Sequence, residues 1–190
     1  MKITPTAIDG VLVLEPRVFG DSRGFFFESF NQNAFDAAVG ARFEFVQDNH
    51  SRSGHGIVRG MHFQIGDGAA KLVRCARGAI LDVVVDIRRG SPTFGEWEGF
   101  VLSDENLHQL CCPVGFAHGF CVLSDVADVM YKQAPYYDQA LERGIAYDDP
   151  DVAIAWPSGI ELKASERDSN APLLRDVEHE LPFVFEPIAA

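Results

Sequence analysis

Two short segments carry the residues best suited to chemistry. Arg59-Gly60-Met61-His62-Phe63-Gln64 sets a histidine in a strand-like run, and Pro113-Val114-Gly115-Phe116-Ala117-His118-Gly119-Phe120 sets a second behind a Pro-x-Gly turn. A neutral imidazole, ordinarily titrating near ~6.5, suits proton abstraction around neutral pH. Lys71 offers a positive charge that can steady a developing oxyanion. Tyr131 and Tyr137 are two candidate acids at the end of an apolar run. Asp168, in Ser165-Glu166-Arg167-Asp168, is a carboxylate of the kind that orients an imidazole and raises its basicity. A base, an orienter, an oxyanion stabiliser and an acid make a set for proton transfer beside a carbonyl. No serine or cysteine stands in a setting that identifies a nucleophile. A strand histidine taken alone is more often a satisfied core or surface residue, so the reading rests on the set.

The Pro-x-Gly-x-x-His segment resembles the second half of the cupin signature, and the chain has such a histidine on each of two segments. Cupin metal sites use His-x-His, a Glu and a later His. Here Gln64 occupies the second position of the pair, and an amide is a poor ligand. Lys71 lies nearby, and a cation opposes metal binding. The expectation is therefore no metal.

The elements that must position these side chains are strands. Turn signals recur at Asp9-Gly10, Gly20-Asp21, Arg77-Gly78, Arg89-Gly90-Ser91-Pro92 and Pro113-Val114-Gly115. The runs between them predict strands at 11–15, 25–30, 43–49, 58–64, 71–76, 79–87, 98–102, 109–112, 119–123 and 126–132, and a helix at 33–39 with Asn31 or Asn33 as N-cap and Gly40 as stop. Many short strands indicate an all-β jelly-roll barrel with a few short helices. Within the strands, Asp82 and Asp86 share one face, and Gln47-Asp48-Asn49 is polar. Gly60, His62 and Gln64 also share a face, with Arg59 on the other unless a bulge turns it. Polar residues inside a barrel point to a ligand pocket. Beyond about residue 140 the pattern weakens into a loop-and-helix wrap with a mobile acidic tail. The expectation is one domain over 1–190, with 175–190 a C-terminal extension.

Acidic residues outnumber basic ones 28 to 16, a net charge of −12, which argues against nucleic acid and anionic membrane surfaces as partners. Taken evenly it would also oppose a phosphorylated ligand, but much of the excess lies away from the candidate site: seven acids against three basic residues fall in 158–190 alone, whereas Arg23, Arg59, Lys71 and Arg167 are among the candidate site residues. No apolar run approaches the ~18 residues of a membrane span. Cys75, Cys111, Cys112 and Cys121 show no Cys-x-x-Cys spacing, and adjacent Cys111 and Cys112 should point to opposite faces. Buried free thiols in a reducing cytoplasm are the expectation.

With these residues in view, nearly the whole chain, from Val11 to about Leu174, resembles the dTDP-4-dehydrorhamnose 3,5-epimerase family. The resemblance rests on ordered blocks: Glu15–Glu28, Phe45–Ser51, Arg59–Gln64, Lys71–Cys75, Asp86–Arg88, Ser91–Gly95, Gly115–Phe120 and Tyr131-Lys132. It implies a cupin-like fold, and inversion of dTDP-4-dehydro-6-deoxy-D-glucose at C3 and C5 to dTDP-4-dehydro-L-rhamnose, without any cofactor. By the same resemblance His62 matches the base, Asp168 its carboxylate partner, Tyr131 the acid and Lys71 the enolate stabiliser. Arg23, Glu28, Gln47, Asn49, Arg59 and His118 match positions that hold the diphosphate and sugar; Phe26 and Tyr137 match aromatic positions near the thymine; Glu142 and Arg167 match further ligand-binding positions. A homodimer is implied, with the N-terminal strand adding to the partner's sheet; the sequence itself offers an edge strand at 11–15. The product would be reduced by a separate enzyme to dTDP-rhamnose, a cell-envelope precursor. The chain departs from the family at Arg167 (commonly Lys), Met61 (commonly Leu), Cys111-Cys112 (commonly an aromatic–aliphatic pair) and a slightly short 65–70 loop. These departures leave open a single-carbon epimerase on a related keto-sugar; a non-catalytic sugar-nucleotide binder would not need both base and acid.

Overall fold

A strand such as Ile80-Leu81-Asp82-Val83-Val84-Val85, apolar on both faces, is stable only between two covering layers. The computed structural model, which describes residues 1–40 and 42–186, places it in that position. The strands are β1 (Lys2–Pro5), β2 (Leu12–Glu15), β3 (Val18–Asp21), β4 (Gly24–Phe27), β5 (Gln47–Gly54), β6 (Val58–Gln64), β7 (Ala70–Arg77), β8 (Ala79–Asp86), β9 (Trp97–Ser103), β10 (Gln109–Cys112), β11 (Phe116–Val122), β12 (Val126–Ala134) and β13 (Glu142–Gly144). One antiparallel sheet runs β1-β2-β10-β7-β12-β5 and faces a second, β13-β6-β11-β8-β9; β3 and β4 form a separate hairpin. The result is the expected cupin-like jelly roll. One half of its interior is closed by Val73, Ile80, Val84, Phe116, Phe120 and Val129.

The other half is polar because of β5. Its side chains alternate strictly: Asp48, His50 and Arg52 face solvent, while Gln47, Asn49, Ser51 and Ser53 face inward. The sequence predicts a strand at 43–49, whereas β5 runs over Gln47–Gly54. Residues 43–46 instead carry Phe43 and Phe45 into an aromatic cluster with Phe30 and Phe35, beneath helix α1 (Gln32–Val39). Asn31 caps that helix by accepting from Ala34 N, and Gly40 ends it in the left-handed conformation.

β6 contains the irregularity on which the site depends. It pairs with β11 as His62 to His118 and Arg59 to Phe120, three steps on β6 against two on β11. The extra residue is a bulge, which reverses the alternation and brings Arg59 and His62 to the same cavity. Gly60 takes φ +135°, and a Cβ there would lie 2.5 Å from Gly119 Cα.

Two expectations are corrected. The strand at 11–15 is not an edge: Lys2–Pro5 folds back against it on one side and β10 pairs on the other. The segment after 174 is not a free tail as far as residue 185, because it has apolar groups to bury and a strand-like partner at Arg89. Leu181 and Phe183 are buried. Arg89 N–H donates to the Phe183 carbonyl, Phe185 N–H donates to the Arg89 carbonyl, and the Arg88 guanidinium lies over both the Phe116 and Phe185 rings. Residues 187–190 of the expected extension lie outside the described residues. Cys111 and Cys112 do face opposite ways, into different core clusters, and all four cysteines are buried and unpaired.

If the Gly60 bulge builds the site, Gly60→Ala should destabilise the protein by about 1–3 kcal/mol or more, as a Cβ at positive φ meets a facing backbone. A thermal melt with an unchanged midpoint would contradict that account of β6.

Candidate active site

The polar half of the barrel is a cavity of about 650 Å³, a size suited to a small organic ligand. His62 reaches it from β6 and His118 from β11, directly opposite each other in the ladder. Tyr131 and Gln133 come from β12, Gln47 and Asn49 from β5, and Lys71 from β7. His62 and Tyr131 therefore stand on opposite sheets, with the cavity between them.

Asp168 arrives from the C-terminal wrap. Lys163 exchanges backbone hydrogen bonds with Gly56 and Val58, which fixes the wrap beside the start of β6. Ser165 then caps helix α2 (Glu166–Ser169) by accepting from Asp168 N–H. Asp168, nearly buried, accepts from His62 Nε2 at 2.7 Å. Because a carboxylate only accepts, Nε2 carries the proton and Nδ1 keeps its lone pair. Burial alone would raise the Asp168 carboxyl, but the His62 bond and charge, with Gly60 N–H and Ser165, outweigh it and hold it below the usual range.

Burial pushes the Lys71 ammonium below its ordinary value, against the pull of Cys112, Asp82 and Glu142. Burial also raises the Tyr131 phenol, helped by the Glu142 charge, so it stays protonated at neutral pH. At the rim, Glu142 accepts from both the Tyr137 hydroxyl (2.7 Å) and Arg167 Nη1 (2.6 Å). Arg59 Nε donates to Ser53 Oγ, and Gln47 links Asn49 to the Tyr137 backbone. Gln64, buried, accepts from Asp138 N–H and donates to the Tyr136 carbonyl, so its amide fixes the loop that carries Tyr137. Among the described residues no group of three or more His, Cys, Asp or Glu side chains converges as metal ligands.

Eleven of the fourteen residues singled out from the sequence line this cavity: His62, Lys71, Tyr131, Asp168, Gln47, Asn49, Arg59, His118, Tyr137, Glu142 and Arg167. Arg23, Phe26 and Glu28 do not. Arg23 and Phe26 lie on the β3–β4 hairpin, where Arg23 pairs with Asp21 and Phe26 is 69% exposed. Glu28, just past the hairpin, accepts from Asn31. Ser51, Gln133 and Lys163 line the cavity and were not anticipated. The alternating polar residues of β5 carried the signal for Ser51, but a strand placed to end at 49 hid it. Of the two inward aspartates, Asp82 bonds to His118 beneath the cavity, whereas Asp86 accepts from Arg88, Ser91 and Thr93 and only ties their loop.

Comparison with known proteins agrees with this geometry. The family model described as dTDP-4-dehydrorhamnose 3,5-epimerase matches residues 5–176. The dTDP-4-dehydrorhamnose 3,5-epimerase of Shigella flexneri is 52% identical over 94% of this chain and 99% of its own. A dTDP-4-dehydrorhamnose 3-epimerase of Streptomyces niveus is 42% identical over 93% of this chain and 85% of its own. Among solved structures, the dTDP-6-deoxy-D-glucose-3,5-epimerase of Legionella pneumophila in complex with dTDP-4-keto-L-rhamnose superposes with a TM-score of 0.94 at 46% identity, covering 97% of this chain and 98% of that one. Fold, cavity and sequence thus agree that the chain belongs to the dTDP-4-dehydrorhamnose 3,5-epimerase family.

Proposed function

We propose that the protein inverts C3 and C5 of dTDP-4-dehydro-6-deoxy-D-glucose, giving dTDP-4-dehydro-L-rhamnose. The observation that carries this reading is the His62–Asp168 pair facing Tyr131 across one cavity, with Lys71 in the same space. Both carbons flank the C4 ketone, so loss of either proton leaves an enolate. His62 Nδ1 takes the proton; the electron pair moves to the ketone oxygen, where the Lys71 ammonium meets it. Tyr131, on the opposite sheet, delivers a proton to the other face, and inversion follows. His62 then releases its proton to solvent and the Tyr131 phenolate regains one. Holding base, acid and ammonium around the ring removes the orientational cost. The chemistry involves no net redox change.

Arg23, Phe26 and Glu28 enter this reading through a second copy of the chain. The hairpin holds Phe19, Phe25 and Phe26 largely in solvent, an apolar patch typical of an interface. In a homodimer it would reach the partner's cavity and bring an aromatic ring and a cation to the nucleotide. Four buried free thiols support the cytoplasm as the compartment; among the described residues no helix is long and apolar enough to cross a membrane.

Two predictions follow from the site. In deuterated water, without added metal, His62→Asn should lower hydrogen exchange at both carbons by about 10²-fold or more. Asp168→Asn, which keeps the size but favours the wrong tautomer, should lower it by about 10²- to 10⁴-fold. Normal exchange in either variant would overturn the base assignment; exchange by the native enzyme at C3 alone would assign the 3-epimerase activity named for the Streptomyces niveus relative, and at C5 alone a 5-epimerase. For the hairpin, His62→Asn and Arg23→Ala chains, each inactive alone, should regain activity when mixed, because hybrid dimers contain one intact cavity. No recovery on mixing, with dimers present, would place the hairpin's role elsewhere.

A further inference from the structure

Asp82 stands in the middle of β8 between Leu81 and Val83 and is fully buried. Its Oδ1 accepts from His118 Nε2 at 2.8 Å, while its Oδ2 is buried with no hydrogen-bond partner among the described residues. A buried carboxylate left half-satisfied opposes folding, and an apolar side chain would pack there without that penalty. Its presence calls for a role in the cavity above it.

Two groups lie within its influence. The first is His118. As at His62, the carboxylate fixes Nε2 as the protonated nitrogen and leaves Nδ1 as an acceptor. Nδ1 makes no bond to any described residue, and His118 lines the cavity. Burial lowers the His118 ring below its ordinary value despite Asp82, so the neutral form persists. The second group is Lys71. The charged and titratable groups around it come from the neighbouring elements: Cys112 on β10, Asp82 on β8, Glu142 on β13, Arg59 and His62 on β6, His118 on β11, Tyr131 on β12, and Arg167 and Asp168 on α2. Of these, Glu142 is already bonded to Arg167 and Tyr137, and Asp168 to His62. Burial raises the Cys112 thiol far above its ordinary value, which keeps it neutral. Asp82 is thus the carboxylate whose charge is left for Lys71.

We propose that Asp82 is a positioning residue for the reaction, holding His118 with Nδ1 free to accept a hydroxyl of the substrate sugar and serving as the buried counter-charge of the Lys71 ammonium. This deepens the epimerase reading and rests on it.

The test is Asp82→Asn, which keeps the volume and an acceptor for His118 but removes the charge. We expect kcat to fall about 10- to 100-fold while the Kd for dTDP, which lacks the keto-sugar, changes by less than about twofold. Lys71 acts protonated and loses an opposing negative charge, so the alkaline limb of the kcat profile should move to lower pH. A purely structural role would lower the melting temperature and leave that limb in place. Native kcat with an unmoved limb overturns the proposal. A measurement on the native protein with dTDP bound stands apart from folding of the variant and from the epimerase reading itself. The side-chain ¹⁵N signals should show Lys71 as an ammonium and His118 protonated only at Nε2 at pH ~7.5. A neutral Lys71, or a proton on His118 Nδ1, overturns it. Absence of exchange by the native enzyme refutes the epimerase reading instead, and leaves the ¹⁵N result to decide whether Asp82 sets these two groups.

Discussion

The hydrogen bond between His62 and Asp168 joins parts of the chain 106 residues apart, and most of the architecture can be understood as what that bond requires. His62 must face inward from β6 at the same cavity as Arg59, which a regular strand forbids, so β6 carries a bulge and needs glycines at 60 and 119. Asp168 must be delivered from outside the barrel, so the wrap is fixed to Gly56 and Val58 before Ser165 starts α2. The bond places the proton on Nε2 and leaves Nδ1 with a free lone pair, as the proposed role of His62 needs.

The overall charge bears differently on the surface and on the cavity. A net charge of −12 opposes association with polyanions, yet Arg59, Lys71 and Arg167 all line one cavity. Arg167 is matched there by Glu142 and Lys163 by Glu161, and Asp82 lies beneath Lys71, so Arg59, bonded to the Ser53 hydroxyl, supplies most of the positive charge left over. Arg23, expected in the same group, lies on the hairpin of its own chain and paired with Asp21. Positive charge is thus gathered in one cavity of a chain whose net charge repels polyanions.

Much of this was legible in the sequence. The runs at 58–64 and 109–112 are strands with the expected bounds, and α1 has the expected cap and stop. Of the eleven expected residues that line the cavity, His62, Lys71, Tyr131, Tyr137 and Asp168 stood out by residue type, and the other six were implied by the family resemblance. What was not legible has physical causes. A bulge depends on the pairing partner, so the placing of Arg59 needed β11. Asp82 and Asp86 have the same strand phase, and only the three-dimensional neighbours separate a partner of His118 from a loop tie. The strand at 43–49 was misplaced because Phe43 and Phe45 mimic strand alternation while packing under a helix. The C-terminal segment is acidic in composition, and its few apolar residues, Leu181 and Phe183, have no periodicity that marks them as buried.

The central claim is that base and acid stand on opposite walls and that neither proton is passed from one face of a carbon to the other. A single turnover in deuterated water, with the product's isotope content read by NMR and mass spectrometry, tests it most directly. Deuterium is expected at every inverted carbon, because the proton delivered by Tyr131 comes from solvent. Inverted carbons that keep their original protium would show one group carrying the proton across, and would contradict it.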